Sequence, residues 1–254
     1  MPEPNRYLEI DVTDNVATVL LHRPEKRNAL SPEVLTEIGG TFTDLGQREE
    51  VRVIVFTGGD KTFSAGFDLQ FVGTIEKEHN ERFIEVFHRA YRSILFCPVP
   101  VIAAIGGPAI AGGFDLTMMC DVRYAARRAK FGQREVPLSL TPLLDPLWRI
   151  IGLGRALEVT LTGRIYGAEE AERMGYVNAV FEDDELLDRV AEIARTMAGY
   201  DRKTLVETKA TAQAVLNQDL STAMRTQEWL FRSYIGSEDN RARVAALLEQ
   251  LKRK

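Results

Sequence analysis

The sequence predicts an α/β fold, and three observations carry that expectation. Two short runs dominated by apolar and β-branched residues, Val51–Thr57 and Val99–Ile105, read as buried strands of a sheet covered on both faces. Each is followed by a glycine-rich corner and then a helical segment, an alternation that implies right-handed crossovers. The chain has 254 residues with 45% hydrophobic content, enough for one substantial core and near the size at which a single core stops growing.

From the amino terminus, Tyr7–Val12 and Val16–Leu21 read as a strand pair turned at Asp14-Asn15. Pro32–Leu45 is predicted helical: Ser31 is a suitable N-cap, Pro32 sits just inside, and Val34, Leu35, Ile38, Phe42 and Leu45 recur at helical spacing. Glu81–Leu95 reads as a long helix, Gly112-Gly113 opens another running towards Met119, and Val122–Ala126 is the next strand. The stretch Pro137–Trp148 reads as a loop. After Ala168 the chain is expected to be almost wholly helical (Ala168–Met174, Glu182–Ala198, Lys203–Leu216, Ser221–Tyr234 and Asn240–Leu251), interrupted by a strand at Tyr176–Val180. The apolar stripe of Leu220, Ala223, Met224, Phe231 and Ile235 suits either a core or a subunit interface.

Several function classes are disfavoured. The net charge is −5 and the basic residues are scattered, so no nucleic acid partner is expected. No apolar run approaches the length of a membrane span, and Met1-Pro-Glu-Pro-Asn-Arg6 has no secretion-signal character, so a cytoplasmic enzyme is expected. Cys97 and Cys120 lie in apolar surroundings and are expected as buried free thiols. His22, His79 and His88 have no metal-ligand spacing with cysteine, and no metal is expected.

The chemistry concentrates in two corners. Lys61–Leu69 follows the strand Val51–Thr57, and Gly106–Asp115 follows Val99–Ile105. Open α/β sheets bind ligands at the carboxyl ends of their strands. Glycine permits close backbone approach, and a helix start leaves amides unpaired, so two such amides aimed at one point would stabilise an anionic oxygen. Neither corner has the spacing of a nucleotide-phosphate loop. Asp115 falls within an apolar helix and Glu135 between Gly132 and Pro137, where a loop would aim it inward. An ion pair or helix cap would occupy Asp115 otherwise, and Arg134 would occupy Glu135; as an acid/base pair across one pocket, their mutual repulsion and burial would drive their pKa values apart.

Arg23-Pro-Glu-Lys-Arg-Asn-Ala-Leu30, Phe63-Ser-Ala-Gly-Phe-Asp68, Pro100–Asp115, Met118-Met-Cys-Asp121, Phe131-Gly-Gln-Arg-Glu135 and Leu161-Thr-Gly163 occur in an order that resembles the crotonase superfamily over nearly the whole chain, and within it the enoyl-CoA hydratases and isomerases. The resemblance implies a crotonase-like α/β spiral of β-β-α units over residues 1–198 and a helical trimerisation region over 199–254, with homotrimers or hexamers made of two trimers. It implies an acyl-CoA substrate, with coenzyme A the carrier part of that substrate and no other cofactor. By resemblance the amides of Phe67 and Gly112 form the oxyanion hole. Asp115 and Glu135 stand where hydratases carry two glutamates that hold and deprotonate water for attack on C3, Glu135 supplying the proton to C2. His22, Arg23, Lys26, Ala29, Leu30 and Ala65 would border the coenzyme, and Lys252 would reach a CoA phosphate of a neighbouring subunit.

The sequence departs from that pattern twice. Asp115 is one methylene shorter than glutamate, a retreat of roughly 1–1.5 Å. Pro137-Leu-Ser-Leu-Thr-Pro-Leu-Leu-Asp-Pro-Leu-Trp148 replaces a glycine-rich loop with bulky apolar residues, suiting a hydrophobic or cyclic acyl group, and Asp145 is a further acid within it. Hydration of a 2-enoyl-CoA is the leading expectation. The alternatives are a Δ3-Δ2-enoyl-CoA isomerase with Glu135 as proton shuttle, thioester or carbon–carbon hydrolysis, and a non-catalytic acyl-CoA-binding scaffold.

Overall fold

The computed structural model describes residues 6–252. The strand pair forms β1 (Leu8–Thr13) and β2 (Val16–Leu21), turned at Asp14 and Asn15, both at positive φ. Helix α1 (Pro32–Gln47) starts where expected, with the Ser31 hydroxyl accepting from the Val34 amide at 3.5 Å. Then follow β3 (Val53–Thr57), the short α2 (Leu69–Val72), α3 (Glu81–Leu95), β4 (Val101–Ile105), β5 (Ala109–Ile110), α4 (Gly112–Met118), β6 (Val122–Ala126) and β7 (Lys130–Gly132). The remainder is α5 (Leu147–Ile151), α6 (Leu153–Thr162), β8 (Tyr166–Gly167), α7 (Ala168–Met174), β9 (Ala179–Phe181), α8 (Leu186–Ala198), α9 (Arg202–Val215), α10 (Leu220–Tyr234) and α11 (Glu238–Lys252).

The strands form a six-stranded sheet, β1-β2-β3-β4-β6-β9, parallel apart from the β1–β2 hairpin, and a small sheet, β5-β7-β8. Successive turns of chain give one strand to the large sheet, one short strand to the small sheet, and then a helix: β4-β5-α4 is one such turn and β6-β7 begins the next. The turn after β3 joins the pattern through a bridge from Ser64 to Ala109. This spiral stacks the corners after β3 and β4 against each other.

One face of the large sheet buries Val16, Val53, Val55, Ile102, Ala104 and Ala126 under Leu186, Val190, Ala194 and Ala198 of α8. Elsewhere Phe42, Phe56 and Phe63 interlock edge to face at 5.1 and 5.2 Å. Cys97 and Cys120 are both buried thiols, neither in a disulfide among the described residues. No helix among the described residues is long and apolar enough to cross a membrane. The chain separates into two compact units, residues 1–205 and 206–254. In the second, α10 and α11 bury no side chain and expose Leu220, Met224, Trp229, Phe231, Val244, Leu247, Leu248 and Leu251.

Two expectations need correction. The strand expected at Tyr176–Val180 begins only at Ala179, because the Tyr176 amide closes the end of α7 on the Ala171 carbonyl (2.8 Å) and its ring stacks on Phe114 at 4.5 Å. The helix expected from Glu182 starts at Leu186, since Glu182 and Asp183 are held by Arg127 and Arg128. Helices α5 and α6 were not anticipated; Gly152 at φ +82 divides them, and the five-residue α5 is too short for a clear period.

Asn28 fastens the amino-terminal segment to the first corner. It is buried, its Nδ2 lies 3.0–3.1 Å from the carbonyls of Gly58, Thr62 and Phe63, and its Oδ1 accepts from the Arg23 amide at 2.8 Å. Asn28→Ala is expected to cost about 2–4 kcal/mol, read as a lowered denaturant midpoint, because buried carbonyls lose their donor and φ is +56 there.

Candidate active site

The first corner is positioned by backbone pairing. The Leu30 amide donates to Gly66 O (2.8 Å) and the Asp68 amide to Leu30 O (3.0 Å), the alternation of a parallel bridge between Leu30 and Phe67. That bridge turns the Phe67 amide away from Leu30, and it has no acceptor among the described residues. In the second corner the Ala111 amide donates to Gly132 O at 2.8 Å, and Ala111 adopts φ +50, ψ −127, a strained conformation for a residue with a Cβ. The next amide, that of Gly112, begins α4 and also lacks an internal acceptor among the described residues.

The two amides are neighbours. Gly66 has φ +91, and a Cβ there would stand 2.8 Å from Ile110 O and 3.2 Å from the Gly112 amide nitrogen. A Cβ on Gly113 would stand 2.4 Å from Ser64 O. Both corners therefore close through glycine, and both expected oxyanion donors are brought together.

The carboxylates follow. Asp115 is 3% exposed, one turn into α4 from Gly112. Gln133, beyond β7, is 1% exposed; its Nε2 donates to Asp115 Oδ1 at 3.0 Å and to the Leu143 carbonyl at 2.7 Å. Glu135 is 7% exposed, and both its carboxyl oxygens are buried without a hydrogen-bond partner among the described residues, as is Gln133 Oε1. Arg134 donates instead to Gly163 O. Burial lifts the Asp115 carboxyl well above its ordinary range; the charge of Glu135 lifts it further and the Gln133 hydrogen bond opposes. Burial also raises Glu135. The buried Tyr91 hydroxyl donates to Gly112 O at 3.0 Å and is held neutral by burial, then by the charges of Asp115 and Glu135.

The expected coenzyme-bordering residues divide. Leu30 is tied to Gly66 as above, and the exposed Ala65 binds Arg27 O through its amide at 3.0 Å, so both edge the first corner together with half-buried Ala29. Arg23 turns its guanidinium inward, to Ala29 O (3.0 Å) and Asp68 (3.2 Å). Lys26 is exposed with Nζ 3.0 Å from Gln70 Oε1, and His22 is exposed 3.8 Å from Glu9. Lys252, at the end of α11, pairs with Glu249 at 2.8 Å. Asp145 is an exposed partner of Arg149, whose hydrogen bond lowers its carboxyl. Sequence reasoning missed Tyr91 and Gln133. Tyr91 continues the Phe83–Phe87 spacing of four along α3, and Gln133 lies two residues before Glu135 on a stretch leaving a strand.

Two amides without acceptors among the described residues, beside two buried carboxyls, form an arrangement that can hold a polarised carbonyl and move protons next to it. The family model described as enoyl-CoA hydratase/isomerase matches residues 11–254, and the chain belongs to that family. Its spiral of β-β-α turns with a helical carboxyl-terminal region is the crotonase-like architecture. The chain is 33% identical to a crotonyl-CoA hydratase of Syntrophomonas wolfei, over 96% of this chain and 95% of that protein. It is 32% identical to a short-chain-enoyl-CoA hydratase of Clostridium acetobutylicum, over 93% and 92%. The crystal structure of an enoyl-CoA hydratase from Bacillus anthracis superposes with a TM-score of 0.92 at 30% identity, covering 96% of this chain and 97% of that one.

Gly66→Ala tests the corner geometry. Its Cβ would push Ile110 O and the Gly112 amide apart, and turnover is expected to fall about 100-fold or more, the loss typical of one oxyanion donor, while circular dichroism stays native.

Proposed function

We propose that this protein is an enoyl-CoA hydratase that adds water across the C2–C3 double bond of a 2-enoyl-CoA thioester. The observation that carries the reading is the Glu135 carboxyl, buried without a partner next to a second buried carboxyl and two acceptor-free amides. The thioester oxygen lies between the amides of Phe67 and Gly112, which gain most when it becomes an enolate oxygen.

The carboxyls divide the work by their surroundings. Asp115, the more strongly raised, holds the proton of the pair, accepts from Gln133 through Oδ1 and orients water with its other oxygen. Glu135, ionised, takes a proton from that water as its oxygen bonds to C3, then passes the proton to C2. The net change is water added, with both carboxyls restored. Leu30, Ala65 and Lys26 border the coenzyme A portion. The second unit, with the apolar side chains of α10 and α11, joins copies of the chain into a trimer or a pair of trimers, and Lys252 supplies a cation to a neighbour's coenzyme phosphate. The division into a catalytic spiral over 1–198 and an oligomerisation region over 199–254 belongs to the same proposal.

The test is turnover of 2-enoyl- and 3-enoyl-CoAs in 18O-labelled water. Labelled 3-hydroxyacyl-CoA is expected from crotonyl-CoA, with kcat lowered about 10³-fold in Glu135→Gln and about 10–100-fold in Asp115→Asn. An unlabelled product with a moved double bond would replace hydration by isomerisation.

Burial of Asp115 also has a pH signature. The unfolded chain loses this proton around the ordinary value of 3.8, whereas the folded chain keeps it to higher pH. Between those two values the folded state binds the extra proton, so this group's contribution to stability declines as pH rises through the window. Asp115→Asn removes that dependence. The variant is expected to melt about 2 °C or more above the parent at pH 7, with the difference vanishing towards pH 4 in paired thermal scans.

A further inference from the structure

We propose that the acyl site is shaped for a 2-enoyl-CoA carrying an aryl ring on C3. The inference rests on the hydratase reading and narrows its substrate class.

The hole is walled by rings. Phe67, whose amide is one oxyanion donor, lays its ring over Gly112, with Cε1 and Cδ1 at 3.2 and 3.3 Å from where a Gly112 Cβ would stand. That ring meets Phe83 and Phe87 edge to face at 5.2 and 5.6 Å, both at 75°. Phe87 meets Tyr91 at 4.9 Å and 87°, and Phe71 flanks Phe83 at 5.3 Å. Phe83, Phe87 and Tyr91 follow one another at intervals of four and so share a face of α3. The end of this ladder stands at the chemistry: Tyr91 binds Gly112 O and feels both carboxyl charges.

With the thioester carbon at the two amides, C3 lies two bonds further, about 2.5 Å away. In the hydratase reading C3 lies at the two carboxyls, whose charges Tyr91 feels, so a substituent there would begin beside Tyr91 and the Phe87 and Phe67 rings that adjoin it. Phe67, Phe71, Phe83 and Phe87 are only half-buried, so ring surface remains to be covered. A second apolar stretch, half-buried Pro142–Leu144, is held next to Asp115 by the Gln133 bond to Leu143 O. A phenyl group adds another edge-to-face partner and freezes a single rotor, whereas a linear chain of equal carbon number must freeze several. Hydration then places the water oxygen on the benzylic C3 and a proton on C2, giving a 3-aryl-3-hydroxypropanoyl thioester with no other reactant.

Calorimetric binding of the saturated thioesters 3-phenylpropanoyl-CoA and octanoyl-CoA, neither of which can be hydrated, tests the pocket apart from the chemistry. The aryl thioester is expected to bind about tenfold more tightly, and the margin to shrink below about threefold in Phe87→Leu and in Phe83→Leu. Equal or weaker binding of the aryl thioester by the parent protein, or an unchanged margin in both folded variants, would overturn the aryl inference. Crotonyl-CoA, 2-octenoyl-CoA and cinnamoyl-CoA are assayed alongside for labelled hydration. Turnover of cinnamoyl-CoA with kcat/KM above that of 2-octenoyl-CoA supports the inference. Hydration of crotonyl- and 2-octenoyl-CoA without cinnamoyl-CoA sinks the aryl inference and leaves the hydratase reading standing. Tight aryl binding with no hydration of any thioester sinks the hydratase reading and keeps the aryl pocket.

Discussion

The peptide N–H groups of Phe67 and Gly112 have no acceptor among the described residues, while the peptides beside them are paired. An amide left without an acceptor costs on the order of 1–3 kcal/mol when removed from water, so the neighbouring peptides must be over-determined. They are: Leu30 grips Gly66 and Asp68 on either side of Phe67, and Gly132 grips Ala111 immediately before Gly112. Ala111 is held in a strained conformation, and a Cβ added at Gly66 or Gly113 would meet opposing backbone at 2.8 and 2.4 Å.

The same arrangement sets the electrostatics. Because α4 begins at Gly112, Asp115 falls one turn inside it and is carried into the core, where an ionised carboxylate is costly. Glu135 arrives from the other sheet, just beyond β7, and its two oxygens find no donor among the described residues. Burial raises both carboxyls, and the charge of Glu135 raises Asp115 further. Asp115 has a donor in Gln133, yet burial outweighs it. The direction of each shift follows from the surroundings rather than from the side-chain type.

Much of this was legible in the sequence because the relevant signals are local. A β-branched run ending in glycines gives a strand and a tight corner, and Ser31-Pro32 gives a helix start; β2, α3, β6 and α7 fall at the boundaries read from the sequence. The four proposed catalytic positions, Phe67, Gly112, Asp115 and Glu135, also stand in short motifs. What escaped notice depends on distant partners. Tyr91 reads as one more apolar residue of an amphipathic helix until α4 is set against it. Tyr176 reads as a strand residue until Phe114 and the end of α7 claim it. Gln133 carries no signal of its own, since glutamine is most often a surface residue. Arg23 reads as bordering the coenzyme, but Asp68, 45 residues away, draws its guanidinium inward.

Gln133 is also where the two departures from the family pattern meet. The shorter Asp115 leaves its carboxyl closer to α4, and the loss in reach falls on whatever lies across the pocket. Gln133 Nε2 fills that position, bonded at once to Asp115 and to the Leu143 carbonyl. A carboxyl one methylene longer on the same backbone would advance roughly 1–1.5 Å into this contact and disturb both bonds. The bulky segment 137–148 has no glycine to let its backbone approach closely, and it reaches the two buried carboxyls through one carbonyl held by one side-chain amide. Short acid and bulky loop are thus a matched pair: the amide between them fixes both the acid's orientation and the loop's path.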